Sequence, residues 1–152
     1  MNVLKKYKSP SESTTLKTEV VCPNDTNPMG RLQGGKLVEW MDIAAAVCAQ
    51  THSEKICVTA SINQVDFIDS ACVGDIITIH AVITRVFNSS MEISVESFAR
   101  KVLSGKKYLI SRAYFIFVSL DENSKPVNSF LVNPVSQLEI EEYDSANNRR
   151  RK

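Results

Sequence analysis

Residues 37–50 are apolar around most of the circumference of any helix they form. Leu37, Met41, Ala44, Ala45 and Cys48 fall on one stripe at helical spacing, and Trp40, Ile43 and Val47 widen it. A helix this apolar has to be wrapped by other structure. Asp42 is a carboxylate inside the run, and a polar loop with a glycine pair, residues 24–35, leads into it. The residues alone leave two readings of Asp42 open. Beside Lys36, Glu39, Ala46 and Gln50 on the helical wheel it is a solvated surface group. Turned inward it is a working acid, since a buried carboxylate is costly without a partner or a task. Asn27, followed by Pro28, reads first as a turn residue, and Asp25 as the closure of an Asx turn.

What wraps the helix is legible as strands. Residues 16–22 alternate and end at Pro23. After the helix, which closes near His52, come long runs at 56–67, 75–87, 90–102 and 108–120. The second alternates Ile77, Ile79, Ala81 and Ile83 against Thr78, His80 and Thr84. The third alternates Met91, Ile93 and Val95 against Glu92, Ser94 and Glu96. Asn88-Ser89 reads as a hairpin turn and Ser104-Gly105-Lys106 as another. The expected order is strand, one buried helix, then an antiparallel meander of four long strands. One helix cannot cover both faces of such a sheet, so a second copy continuing it edge to edge is expected. Residues 1–15 read as a flexible lead-in, 16–133 as a single domain, and 134–152 as a polar tail with a short surface helix and a frayed basic end.

Composition narrows the classes. The 152 residues suit one domain, with 43% hydrophobic and 23% charged residues, and the net charge of +1 gives no general basic field for nucleic acid. Cys22, Cys48, Cys57 and Cys72 lack metal-ligand spacing, so no metal is expected, and reduced thiols suit a cytoplasmic location. Residues 1–10 lack the apolar segment of a secretory signal, and no run approaches the ~18 apolar residues of a membrane span. Gly30, four residues, then Gly35-Lys36 matches most of a phosphate-binding loop, but Leu37 replaces the required Ser or Thr and no βαβ context surrounds it. No serine sits in a nucleophile elbow. His52 reads as an ordinary helix C-terminal cation or donor, and His80 as a satisfied structural histidine.

Pro23-Asn24-Asp25-Thr26-Asn27 through Gly34-Gly35 to Met41-Asp42, with Val65-Asp66-Phe67, Val73-Gly74-Asp75 and Ser89-Ser90-Met91, resembles the hotdog-fold acyl-CoA thioesterases. The resemblance covers residues 16–120 and is nearest the branch of the YciA-type bacterial hydrolases and the brain acyl-CoA hydrolase. It implies an α+β hotdog fold, one long central helix wrapped by a curved antiparallel sheet of five to six strands. It also implies a homodimer, assembled further into a trimer of dimers, with no membrane partner. The implied activity is hydrolysis of fatty acyl-CoA to free acid and coenzyme A, with no cofactor beyond the coenzyme A of the substrate. Asn27 and Asp42 match the family's catalytic pair, each site combining the two from different subunits.

Gly34 and Gly35 would let a thioester carbonyl approach the unpaired N–H groups of the helix N-terminus. Asp42 would act as general base on water or as nucleophile. Main-chain groups of Val58, Thr59 and Phe67 are the candidates for the pantetheine arm, and Ser89, Ser90, Arg85, Arg100 and Lys101 for the phosphates. Gln33, Glu39 and Ile68-Asp69-Ser70-Ala71 depart from the family pattern, the first two bearing on acyl preference and the third on coenzyme A or assembly contacts. The alternative function is a module that binds acyl-CoA as a signal without hydrolysing it.

Overall fold

The apolar halves of the alternating runs face one helix. In the structure, a computed structural model describing residues 6–150, the elements run β1 (Tyr7–Lys8), β2 (Thr15–Val20), α1 (Gly34–Ser53), β3 (Ile56–Phe67), β4 (Ile76–Val86), β5 (Ser90–Arg100), β6 (Lys107–Leu120), β7 (Leu131–Val132) and α2 (Gln137–Arg150). Five strands make one antiparallel sheet in the order β2-β4-β5-β6-β3. This is the long helix and five-stranded antiparallel sheet expected of a hotdog fold. β1, within the stretch read as a lead-in, pairs in parallel with β7.

The strand order corrects the four-strand meander. β4, β5 and β6 do follow one another as hairpins, but β3 lies at the far edge, bonded to β6. Residues 68–75 are too long for a hairpin turn and instead run along the end of the sheet. Ile68 N–H donates to Ile110 O at 2.9 Å, Leu32 N–H to Ala71 O at 2.8 Å and Gly74 N–H to Val21 O at 2.9 Å. That rim supports the loop ahead of α1.

Ile77, Ile79, Ala81, Met91, Ile93, Val95, Ala113 and Phe115 are fully buried, as are Met41, Ala44, Ala45, Cys48 and Ala49 of α1. The alanines let the helix lie close to the strands. The helix is nevertheless wrapped on one side only. Ile43 and Val47 are 44% and 46% exposed, and so are Val58 and Ile62 of β3, at 46% and 37%. Among the described residues, the outer edge of β3 has no partner strand.

Two charged residues sit where alternation did not place them. Glu92 falls on the polar face of β5 yet is 1% exposed, because α2 lies over it. Arg149 donates through Nε to Glu92 Oε2 at 2.9 Å and through Nη2 to Oε1 at 2.7 Å, while the Thr84 hydroxyl donates to the same carboxylate. The Arg149 guanidinium lies 3.9 Å from the Tyr114 ring, and Arg150 lies 4.2 Å from Phe87. The basic end is therefore docked as far as Arg150; residues 151–152 lie outside the described residues. His52 is buried, with Nε2 donating to Phe130 O at 2.8 Å and Nδ1 unpartnered. Burial, with Lys8 nearby, holds its pKa below the ordinary histidine value. The helix C-terminal cation is instead Lys8, whose Nζ donates to His52 O at 2.8 Å and to Glu54 Oε2 at 3.1 Å.

Because unfolded histidine titrates near about pH 6.5, the neutral His52 contributes its full stability above that pH and loses it as pH falls below. Urea midpoints are expected to drop more between about pH 7 and about pH 5.5 in the parent than in His52→Gln. Arg149→Met leaves Glu92 buried without its cation and is expected to cost about 3 kcal/mol, and adding Glu92→Met recovers most of it. Chemical denaturation of the two variants measures both effects.

Candidate active site

The loop is built to present one amide. Pro23 opens a short 3-10 turn, and the buried Asp25 reaches back to accept from Cys22 N–H at 2.9 Å. The Asx turn assigned to Asp25 belongs instead to Asn27, whose Oδ1 accepts from Met29 N–H at 2.9 Å and Arg31 N–H at 3.2 Å. Pro28 presets the following turn residue, and Gly30 adopts φ +75°, a left-handed conformation that suits glycine. Gly30 N–H closes the turn on Asn27 O at 2.9 Å. Two backbone donors thus fix which end of the Asn27 amide is the carbonyl. Its Nδ2 hydrogens find no partner among the described residues.

Gln33 fastens this loop to the helix. Its N–H donates to Asp25 O and its side-chain amide to Thr26 O, both at 2.9 Å. The first intrahelical bond runs from Leu37 N–H to Gln33 O, leaving Gly34, Gly35 and Lys36 N–H outside the helical ladder. A Cβ on Gly34 would lie 3.3 Å from the Phe67 ring, which would have to shift by a few tenths of an ångström to admit it. Nothing lies within 4 Å of a Cβ built on Gly35, so that side of the helix start is open.

Asp42 is half-buried on α1, and the Thr59 hydroxyl of β3 donates to its Oδ1 at 2.7 Å. This contact was missed in the sequence, where Thr59 entered only as a main-chain candidate. A threonine is unremarkable on a strand, and nothing in its spacing reveals that the hydroxyl faces a helix carboxylate. Asp42 Oδ2 has no partner among the described residues. No hydrogen bond joins Asn27 to Asp42 within the chain. The helical rise from Gly34 to Asp42 is about 12 Å, which sets the carboxylate far down α1 from the loop.

The phosphate candidates fall at opposite ends of the sheet. Ser89, Ser90 and Arg85 lie at the β4–β5 hairpin, and Arg100 and Lys101 at and just past the far end of β5, about 33 Å away along the strand. Thr59, aligned with Phe117 and through it with Met91, lies toward the Ser90 end. Phe67 and the Asn27 loop lie toward the Arg100 end. Arg85 is engaged by α2, donating to Tyr143 O at 3.1 Å with its guanidinium 4.0 Å from the Tyr143 ring. Lys101 Nζ donates to Asp75 Oδ2 at 2.6 Å, which holds its pKa above the ordinary lysine value. Ser89 O accepts from Ser119 N–H at 2.9 Å, and Arg100 is exposed. The structure therefore brings together Asp42 with Thr59, and Gly34 with Phe67, but does not join the two groups in one chain. Among the described residues, no group of three or more His, Cys, Asp or Glu is placed to hold a metal, and no helix is long and apolar enough to cross a membrane.

Comparison with known proteins gives the same family from several directions. Residues 29–105 match the model of the thioesterase superfamily. The acyl-CoA thioester hydrolase YkhA of Bacillus subtilis is 36% identical over 135 residues, 89% of this chain and 78% of that protein. Some curated relatives are much longer, and the chain spans only 24% of mouse acyl-coenzyme A thioesterase 11. The crystal structure of a hexameric acyl-CoA thioesterase superposes with a TM-score of 0.93 at 34% identity, covering 96% of this chain and 94% of that one. An acyl-CoA hydrolase of Staphylococcus aureus, in complex with butyryl coenzyme A, coenzyme A and coenzyme A disulfide, superposes with a TM-score of 0.90 at 36% identity, covering 95% and 88%. That hydrolase has also been solved with alanine replacing one aspartate, one asparagine and one threonine. On the fold and on these matches, the chain belongs to the hotdog-fold acyl-CoA thioesterases of the thioesterase superfamily.

Proposed function

We propose that the protein hydrolyses fatty acyl-CoA to free acid and coenzyme A, at sites that two copies of the chain build between them. The observation that carries this reading is the Thr59–Asp42 hydrogen bond of 2.7 Å beside an uncovered apolar edge. A carboxylate oriented by a hydroxyl and left with a free oxygen is suited to act on water. The alanine replacements in the S. aureus hydrolase add support. Its asparagine precedes its aspartate by 15 positions and the threonine follows by 17, the separations of Asn27, Asp42 and Thr59.

The seam follows from symmetry. Two copies paired edge to edge along β3 by a two-fold axis run antiparallel, so the Arg100 end of one copy meets the Ser90 end of the other. This places Asn27 of the partner subunit toward Asp42 and covers Ile43, Val47, Val58 and Ile62. It also unites the two separated sets of coenzyme A candidates. The hexameric neighbour supports a further step to a trimer of dimers. All four cysteines are free thiols, which suits the cytoplasm.

In this site the Asn27 Nδ2 hydrogens and the open N–H groups at Gly34 and Gly35 stabilise charge on the thioester carbonyl oxygen. Asp42 takes a proton from water, the hydroxide adds to the carbonyl carbon, and the C–S bond breaks to release the coenzyme A thiolate. In the nucleophilic variant Asp42 adds directly and water then cleaves the mixed anhydride. A non-catalytic acyl-CoA module would need no carboxylate held by Thr59.

Subunit exchange tests the shared site. Asn27→Ala and Asp42→Ala are each expected to be inactive alone. Mixed and reassembled at equal amounts, they are expected to regain about a quarter of parent activity, because half the pairs are hybrid and each hybrid has one intact site. Exchange without recovery would remove the intersubunit assignment. Thr59→Val is expected to lower kcat about tenfold or more with KM little changed, since it loosens the acid without touching the coenzyme A groups.

A further inference from the structure

Asn27 takes its position from residues well outside its own loop. Its N–H donates to Arg31 O at 2.8 Å, and Arg31 N–H returns a bond to Asn27 Oδ1 at 3.2 Å. Arg31 forms an antiparallel bridge with Cys72, and beside it Leu32 N–H donates to Ala71 O at 2.8 Å. The loop is therefore seated on the rim that residues 68–75 build along the end of the sheet. Where that rim lies sets where the amide lies.

One buried acid closes the rim. Asp75, 5% exposed, reaches back three residues, so that Cys72 N–H donates to its Oδ2 at 2.8 Å. Its own N–H donates to Cys72 O at 3.0 Å, and Gly74 inside this turn takes φ +90°, which favours glycine. Val21 N–H donates to Asp75 O at 3.0 Å and ties the turn to the residue that follows β2. Lys101, just past the end of β5, donates through Nζ to the same Oδ2 at 2.6 Å. A carboxylate this buried stays charged only with such a partner, and a charged acceptor holds the Cys72 N–H more tightly than a neutral one. The acid and its cation thus fasten Cys72, the residue across which Arg31 lies.

We propose that Asp75, held by Lys101, is a positioning residue for Asn27: the pair fixes Cys72, Cys72 fixes Arg31, and Arg31 fixes the amide. Given the two-copy site proposed above, on which this role rests, Asp75 serves the subunit that lends Asn27 and not the one that lends Asp42. Lys101 thereby has a task other than phosphate contact. The two tasks leave different kinetic marks. A catalytic group misplaced by about 1 Å can cost about a hundredfold in rate, whereas a lost coenzyme A contact raises KM.

Steady-state kinetics and subunit exchange on the full chain test this together, over a series of acyl-CoA chain lengths. Asp75→Ala and Lys101→Met are each expected to lower kcat about tenfold with KM little changed, and Lys101→Arg to stay near the parent. Mixed and reassembled in equal amounts with Asp42→Ala, Asp75→Ala is expected to rise to about a quarter of parent activity. Each hybrid then holds one site with an undisturbed Asn27 and an intact Asp42. Mixed with Asn27→Ala it is expected not to rise, because no hybrid site pairs those two. A chain that is merely destabilised would not distinguish the two partners. Recovery with Asn27→Ala would overturn the proposal, as would a raised KM at unchanged kcat. So would recovery with neither partner while Asn27→Ala and Asp42→Ala recover together. If those two do not recover together, the shared site itself falls, and parent-level kcat in the folded variants then overturns the positioning role by itself. Should Asp75→Ala fail to fold, Lys101→Met, at a side chain 38% exposed, takes its place in the mixing.

Discussion

The constraint on which the rest depends is an apolar helix that its own sheet covers on one side only. α1 buries Met41, Ala44, Ala45, Cys48 and Ala49 against β4, β5 and β6, while the described residues leave Ile43 and Val47 about half exposed. The uncovered flank borders Asp42, Thr59 and the unpaired edge of β3. Leaving apolar surface and main-chain donors exposed together is unfavourable, and the proposed pairing with a second β3 would relieve both. Under that proposal packing and chemistry share a cause: the surface that is incomplete as a core would also be the one where the site is completed.

Much of this was readable from the residues. The helical stripe, the alternating strands and the glycine pair were enough to frame one helix against an antiparallel sheet, and the family resemblance singled out Asn27 and Asp42. What escaped depends on contacts distant in sequence. Alternation places Glu92 in solvent, and only the docking of α2 through Arg149 shows it buried. His52 reads as a helix-end cation or donor; it is a buried donor to Phe130 O, and the cation at those carbonyls is Lys8, distant in sequence. Strand order escaped because alternation reports which face is buried and carries no information about which neighbour is bonded. Asn27 is the turn residue expected, and it takes the Asx turn as well for a local reason: Pro28 presets the turn that follows it, whereas Asp25 closes back on Cys22 in the 3-10 turn opened by Pro23.

Charge in this molecule is concentrated on the face away from the candidate catalytic centre. Arg149, Glu92, Glu142 and Tyr114 hold the second helix down, with Arg85 and Arg150 laid against aromatic rings beside them. On the side bearing Asp42, α1 carries the exposed Lys36–Glu39 ion pair at 3.6 Å, and the carboxylate itself is held by the Thr59 hydroxyl. An uncovered apolar flank is compatible with a two-copy site, whereas the outer face is stabilised within each chain. The two faces are therefore expected to answer differently to ionic strength, the outer one weakening as salt screens its pairs.

The contact between Gly34 and Phe67 extends further than the helix start. A Cβ at position 34 would press on the aromatic ring at 3.3 Å, and position 67 ends the strand that carries Thr59. The ring is 58% exposed, so a methyl group gained at position 34 is met by a shift of the ring of a few tenths of an ångström. The start of the helix and the end of that strand are thereby mechanically linked although thirty-two residues lie between them, and a change at position 34 is felt first at the tip of β3.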